Sequence, residues 1–212
     1  GTVGICAAIM NRYNVDAVPH LICGGFSKEE TENALIDLQF LGIDNVLALR
    51  GDSIKTESNF RPHQFCHEYS QQLIEQVSEM NAGNYLMDDI QLEPTDFCIG
   101  AAGYPEKHFE SPNFNDDLKR TKEKVDAGGE YLVTQMFFDN NMYKSYLDKC
   151  IDAGINVPII PGIKPITRKY QINSLPRRFF VSLPDDLVAA LLKAKNSEAI
   201  REVGIEWCIY QC

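Results

Sequence analysis

An arginine, a glycine and a carboxylate stand where an apolar run ends. Asn45-Val46-Leu47-Ala48-Leu49 leads straight into Arg50-Gly51-Asp52. Glycine lets a ligand approach the backbone. The aspartate supplies a fixed negative charge that can stabilise a cation formed during a reaction. Arg-Gly-Asp also occurs in ordinary turns, so its weight here comes from recurrence. Pro19-His20-Leu21-Ile22-Cys23 carries a histidine, and Ala101-Ala102-Gly103-Tyr104-Pro105-Glu106 is followed by His108. Thr134-Gln135-Met136-Phe137-Phe138-Asp139 carries an amide, and Pro161-Gly162-Ile163-Lys164-Pro165 a lysine. A plain scaffold has no need of His, Asp, Tyr, Gln and Lys on one rim. An amide on a buried strand is costly unless paired. Gln135 is therefore expected to face a ligand cavity or to join an internal hydrogen-bond network.

These residues need strands to carry them. Short apolar runs without alternation read as parallel strands covered on both faces. Five are expected: 17–23, 45–50, 97–102, 131–138 and 157–162. Helical patterns separate them. Ser27 with Glu30 forms a capping box, and Leu35, Leu38 and Leu41 mark one face before Gly42. Further helices are expected over about 67–80, from Asn115 or Asp116 to Gly128-Gly129, from Asn140 to Gly154, and from about Pro184 and Ser197. Strand, helix, strand at about 30-residue intervals is a series of βαβ units. Without a topological switch, these favour a (β/α)8 TIM barrel, present here as an incomplete barrel of about five strands plus helices. In α/β proteins the chemistry sits at the carboxyl ends of such strands. Two long loops are expected, 53–66 after a strand and 83–95 after a helix. The first is a candidate ligand loop.

The formal charge of −10 over 212 residues, with 44% hydrophobic and 24% charged residues, describes an ordinary globular chain. It argues against a nucleic-acid groove built on bulk charge, but not against an anionic ligand held by local groups. No apolar run approaches the roughly 20 residues that span a bilayer, and no signal pattern opens the chain. Seven cysteines without a CxxC pair read as reduced thiols in a cytoplasmic protein. Cys66 and His67 lack a second pair at metal-ligand spacing, so no metal site is expected.

Six phrases together resemble the methylenetetrahydrofolate reductase family. They are Val18-Pro19-His20-Leu21, Leu49-Arg50-Gly51-Asp52, Gly103-Tyr104-Pro105-Glu106 with His108, Lys122 to Gly128, Thr134 to Phe138 and Ile160-Pro161-Gly162-Ile163. The resemblance runs over essentially the whole chain, and implies one flavin-dependent reductase barrel domain over 1–212. It implies a barrel with FAD along the strand ends, NAD(P)H as co-substrate, and reduction of 5,10-methylenetetrahydrofolate to 5-methyltetrahydrofolate. Asp52 takes the catalytic role, and Asp52, Gln135 and Gln171 the substrate contacts. Gln171 suits a surface helix position equally well. Implied cofactor contacts are His20, Leu49, Arg50, Gly51, Asp52, Tyr69, Ser70, Ala102, Tyr104, His108, Asp117, Arg120 and Lys124. Asp117 and Lys124 lie seven residues apart, on one helical face. That face can meet ribose hydroxyls and pyrophosphate. As partners the resemblance implies a folate and a nicotinamide nucleotide, with no nucleic acid and no membrane. It leaves homo-oligomerisation and the choice between NADH and NADPH open, since no GxGxxG occurs.

Two departures stand out. Arg120 and Glu123 replace the family's asparagine and arginine. The family's proton-donating glutamate belongs to a strand expected before Gly1, and a last strand is expected beyond Cys212. On that reading the stretch made alone neither turns over nor holds FAD tightly. Two rivals are a non-catalytic flavin- or folate-binding barrel remnant and an aldolase or lyase barrel using Lys164 as a Schiff base.

Overall fold

A computed structural model describes residues 1–51, 62–87 and 92–212. Asp52 and most of the 53–66 loop lie outside the described residues, as does part of the 83–95 loop. The elements in chain order are α1 (Thr2–Tyr13), β1 (His20–Ile22), α2 (Lys28–Phe40), β2 (Asn45–Leu49), α3 (Ser70–Asn81), β3 (Cys98–Gly103), α4 (Phe114–Asp126), β4 (Tyr131–Met136), α5 (Asn140–Asp152), β5 (Ile159–Gly162), α6 (Gln171–Phe179), α7 (Asp185–Lys193) and α8 (Ser197–Gln211). The sheet order is β1-β2-β3-β4-β5. β1 pairs with β2, and β2 with β3, in parallel. Each strand is followed by helix and then pairs onward, with no reversal of order. That is the topology of a (β/α)8 barrel rather than of a doubly wound sheet. Five of its strands are present among the described residues.

The residues gather into two compact units, 1–102 with 123–132, and 103–122 with 133–212. The first has a core of Leu21, Leu35, Leu38, Ile43, Val46, Ala48, Leu73, Ile74, Val77, Met80, Phe97, Ile99 and Ala101, all buried. α1 and α3 pack on α2, and α3 on β2. Ser27 caps α2 as expected: its hydroxyl accepts from the Glu30 N–H at 3.0 Å, and Glu30 accepts from the Ser27 N–H at 2.8 Å. Leu41, expected inward with Leu35 and Leu38, is exposed, because the chain leaves the helix there. Tyr131 braces the sheet. Its hydroxyl donates to the Val46 carbonyl at 3.2 Å, and its ring lies where a Cβ on Gly100 would stand. In the second unit, Phe138, Ile166, Leu175, Val181, Leu187, Leu191 and Ile200 form the core.

The observed bounds differ from the expected ones for local reasons. β1 opens at His20 rather than Ala17, after Pro19, which has no N–H to donate. β5 opens just after Pro158 for the same reason. β4 ends at Met136, two residues early, because the Phe137 and Phe138 carbonyls accept from Gln211 Nε2 and Trp207 Nε1 on α8, both at 2.9 Å. α4 starts at Phe114 because Asn113 accepts from the Asp116 N–H at 2.9 Å. Two helices went unread in the sequence. α1 has no side-chain cap to announce it. α6 contains Pro176, a residue that argues against a helix interior.

Candidate active site

In the first unit the candidate residues collect at the carboxyl end of β2 and β3. Ile22 pairs with Leu49. Ala48 pairs with Ala101, which brings Leu49 and Ala102 level one residue further on. Arg50 and Gly51 follow at once. Gly51 sits at φ 84°, and a Cβ there would run into the Ile22 side chain. Glycine is thus required twice over, by backbone conformation and by space. Burial pushes the Cys23 thiol up to about 12; the neighbouring Cys66 adds to this and Arg50 opposes it. Lys124, half-buried on α4, donates from Nζ to the Ala102 carbonyl at 2.9 Å. A lysine head is thereby fixed at the edge of β3.

Tyr69 is the N-cap of α3 and Ser70 its first residue. The Tyr69 N–H donates to Gln72 Oε1 at 3.1 Å. Ser70 is buried and Tyr69 exposed. A helix that follows a strand begins at that strand's carboxyl end, and its N-terminal N–H groups favour anions. His20 is placed differently from the expectation that it ends its strand. It opens β1, pairs with Leu47 two residues below the edge, and is exposed.

In the second unit the chain leaving β3 makes a tight aromatic turn. Tyr104 meets His108 edge to face, with centroids 4.8 Å apart. The Lys107 N–H donates to the Tyr104 carbonyl at 3.0 Å, with Lys107 at φ 69°. His108 Nδ1 accepts from the Glu110 N–H at 3.2 Å, so the neutral ring carries its proton on Nε2. Ser111 donates to Asp117 Oδ1 at 2.8 Å, and both are buried. This sets the Asp117 carboxylate at the start of α4, where the helix N-terminus favours it. Arg120, one turn on, is exposed.

Gln135 is half-buried near the end of β4, and its Oε1 accepts from the Met136 N–H at 3.0 Å. Gly162 brings β5 against β4: a Cβ there would strike the Thr134 carbonyl, and its N–H donates to Thr134 Oγ1 at 2.9 Å. Gln171 opens α6, and its Oε1 accepts from the N–H groups of Thr167 at 2.7 Å and Arg168 at 2.9 Å. Its amide oxygen thus holds the 167–171 turn.

Sequence reasoning missed one set of residues. Phe109 stacks on Phe180 at 5.0 Å and 12°, and Glu106 accepts from the Ser182 N–H through both oxygens, at 3.0 and 2.9 Å. The motif around Tyr104 was legible, but its partner, some 70 residues later, has no local signal. Among the described residues no group of three or more His, Cys, Asp or Glu could hold a metal ion, and no helix is long and apolar enough to cross a membrane. All seven cysteines are free thiols.

The sequence profile of the methylenetetrahydrofolate reductase family matches residues 1–212. The chain belongs to that family. It is 34% identical over 218 residues to methylenetetrahydrofolate reductase 1 of Schizosaccharomyces pombe, an alignment covering 100% of this chain and 33% of the relative. It is 33% identical over 183 residues to 5,10-methylenetetrahydrofolate reductase of Escherichia coli, covering 86% of this chain and 55% of the relative. The chain therefore spans a third of the one and about half of the other. The fold is also that of an uncharacterized protein from Clostridium thermocellum that binds two copies of 5-methyl-5,6,7,8-tetrahydrofolic acid. There the TM-score is 0.55 at 16% identity, over 96% of this chain and 67% of that one.

Proposed function

We propose that the protein to which this stretch belongs carries out FAD-dependent reduction of 5,10-methylenetetrahydrofolate to 5-methyltetrahydrofolate with NAD(P)H, residues 1–212 forming part of its reductase barrel. The observation that carries the reading is a family match over the whole chain together with a cation fixed at the strand edge, Lys124 on the Ala102 carbonyl.

The donor set suits a flavin dinucleotide. Gly51, Arg50 and Lys124 offer a close backbone approach and two cations for a pyrophosphate. Asp117, buried and held by Ser111, offers a carboxylate for ribose hydroxyls. Leu49, Ala102, Tyr104, His108, His20, Tyr69, Ser70 and Arg120 complete the proposed contacts. FAD when bound supplies hydride transfer between the nicotinamide and the folate. The remaining work falls to the chain. Asp52 stabilises the cationic iminium form of the folate and hydrogen-bonds the pterin. Gln135 and Gln171 orient the substrate, Gln171 by holding the 167–171 turn.

The test is to purify the intact protein, record its absorbance, and assay NADH- and NADPH-dependent formation of 5-methyltetrahydrofolate. A yellow protein with turnover is expected. A colourless protein that gains neither flavin nor activity on reconstitution with FAD overturns the reading.

A further inference from the structure

We propose that Tyr146 is a positioning residue: from the middle of α5 it sets the last residue of β3 against the first turn of α4, and so holds Tyr104 and Asp117 in place for a flavin nucleotide. This rests on the cofactor reading above and adds to it a residue that touches no ligand. Tyr146 is buried to 1% exposure. Its hydroxyl lies against Gly103, the residue that ends β3, and a Cβ on Gly103 would run into it. Gly103 has no positive φ that would call for glycine. The Tyr146 hydroxyl, and not the backbone, is what excludes a side chain there. Tyr104 is the next residue.

The same side chain reaches the far end of the β3–α4 connection. Its ring meets Phe114, the first residue of α4, edge to face, with centroids 6.3 Å apart and planes at 85°. Lys149, three residues along α5, sets its Nζ 4.3 Å from the centre of the Phe114 ring. α5 therefore grips the start of α4 from two positions on one face. Through Tyr146 it grips the end of β3 as well.

Packing alone does not call for the hydroxyl. It is shut off from water and has no hydrogen-bond partner, a state that costs stability and that phenylalanine would avoid. Burial is the main cause raising the Tyr146 pKa; Cys150 and the Asp117 carboxylate raise it further, and Thr121 opposes them. The phenol therefore stays protonated, a standing O–H donor in the field of the Asp117 charge. Asp117 is already tied at Oδ1 to Ser111, at 2.8 Å, and at its carbonyl to Thr121 Oγ1, at 3.0 Å. Both ties come from its own loop and helix. Tyr146 adds a constraint from a different element.

The experiment compares wild type, Tyr146→Phe, Gly103→Ala and the double variant of the intact protein, stripped of flavin. FAD affinity is read by flavin fluorescence, and Tm is measured without flavin. Tyr146→Phe keeps the ring and removes an unpartnered hydroxyl, so its Tm is expected to hold or rise. FAD should nonetheless weaken about tenfold, the low end of what a donor beside a charged group contributes. A loss of affinity without a loss of Tm is what a purely structural role does not give. Gly103→Ala should weaken FAD and lower Tm. Adding Tyr146→Phe should bring both back to the level of Tyr146→Phe alone, because the clash goes with the hydroxyl. Full FAD affinity in Tyr146→Phe overturns the positioning role, as does a fall in its Tm alongside the affinity. Gly103→Ala effects of equal size in both backgrounds overturn it too. A wild type that binds no flavin on reconstitution overturns the cofactor reading and the positioning role with it, a distinct result.

Discussion

At the scale of single residues, Gly51 and His67 make the sharpest demands. Gly51 combines φ 84° with no room for a Cβ beside the Ile22 side chain. Gly51→Ala should cost about 1–3 kcal/mol from the backbone alone. With roughly 2–4 °C per kcal/mol for a chain of this size, a Tm drop of several degrees is expected by differential scanning fluorimetry. The strand end should shift with it, so FAD affinity should fall as well. An unchanged Tm would show that the β2 end has room the geometry denies. His67 is buried; its Nε2 meets Gln76 Oε1 at 2.6 Å while Nδ1 has no hydrogen-bond partner. Burial is the main cause lowering its pKa from the usual 6.5, and Lys28 lowers it further, against the Gln76 hydrogen bond and Glu75. Below pH 6.5 the unfolded chain therefore binds the proton first, and stability falls as the pH falls. This contribution is present above that value and lost in acid. His67→Gln should flatten the acid side of the Tm–pH profile between pH 6.5 and the lowered native value; profiles of equal slope would refute the assignment.

At the scale of elements, caps and neighbours decide where helices and strands begin and end. The capping box of α2 satisfies two backbone groups reciprocally. Ser27→Ala removes the accepting hydroxyl from a buried position and should cost about 1 kcal/mol, read as a lower denaturant midpoint with an unchanged m-value. A changed m-value would point instead to loss of two-state unfolding. α2, capped by Ser27 and closed near Gly42, was plain in the residues because its signals are local. α6 was not, because Pro176 obscures a helix whose Ile172, Leu175 and Phe179 are drawn to the second unit's core. Tertiary burial overrode a poor local sequence there. β4 was overestimated for the complementary reason. Phe137 and Phe138 read as strand, yet α8 takes their carbonyls.

At the scale of the whole molecule, ligand binding should register as stability. If the intact protein binds FAD only when folded, FAD at 100 times its Kd adds about 2.7 kcal/mol. A rise in Tm with FAD, absent with an equal concentration of sulfate, is the expected outcome of a thermal-shift titration. No rise at saturating FAD would contradict a folded-state cofactor site. The residues by themselves determined the order of the five strands and of the helices between them, the capped start of α2 and the residue types after each strand. They also carried the family, through six short phrases in sequence. Those signals are local, since propensity, capping and polar punctuation act over a few positions. Only the tertiary structure decided which groups meet. Lys124 closes on Ala102 across 22 positions, Tyr131 crosses Gly100 to reach Val46, and Phe109 finds Phe180. It also turned the amide oxygens of Gln135 and Gln171 back onto nearby backbone N–H groups. Such pairings depend on how elements pack and on which polar groups burial leaves in need of a partner, and neither is written in neighbouring residues.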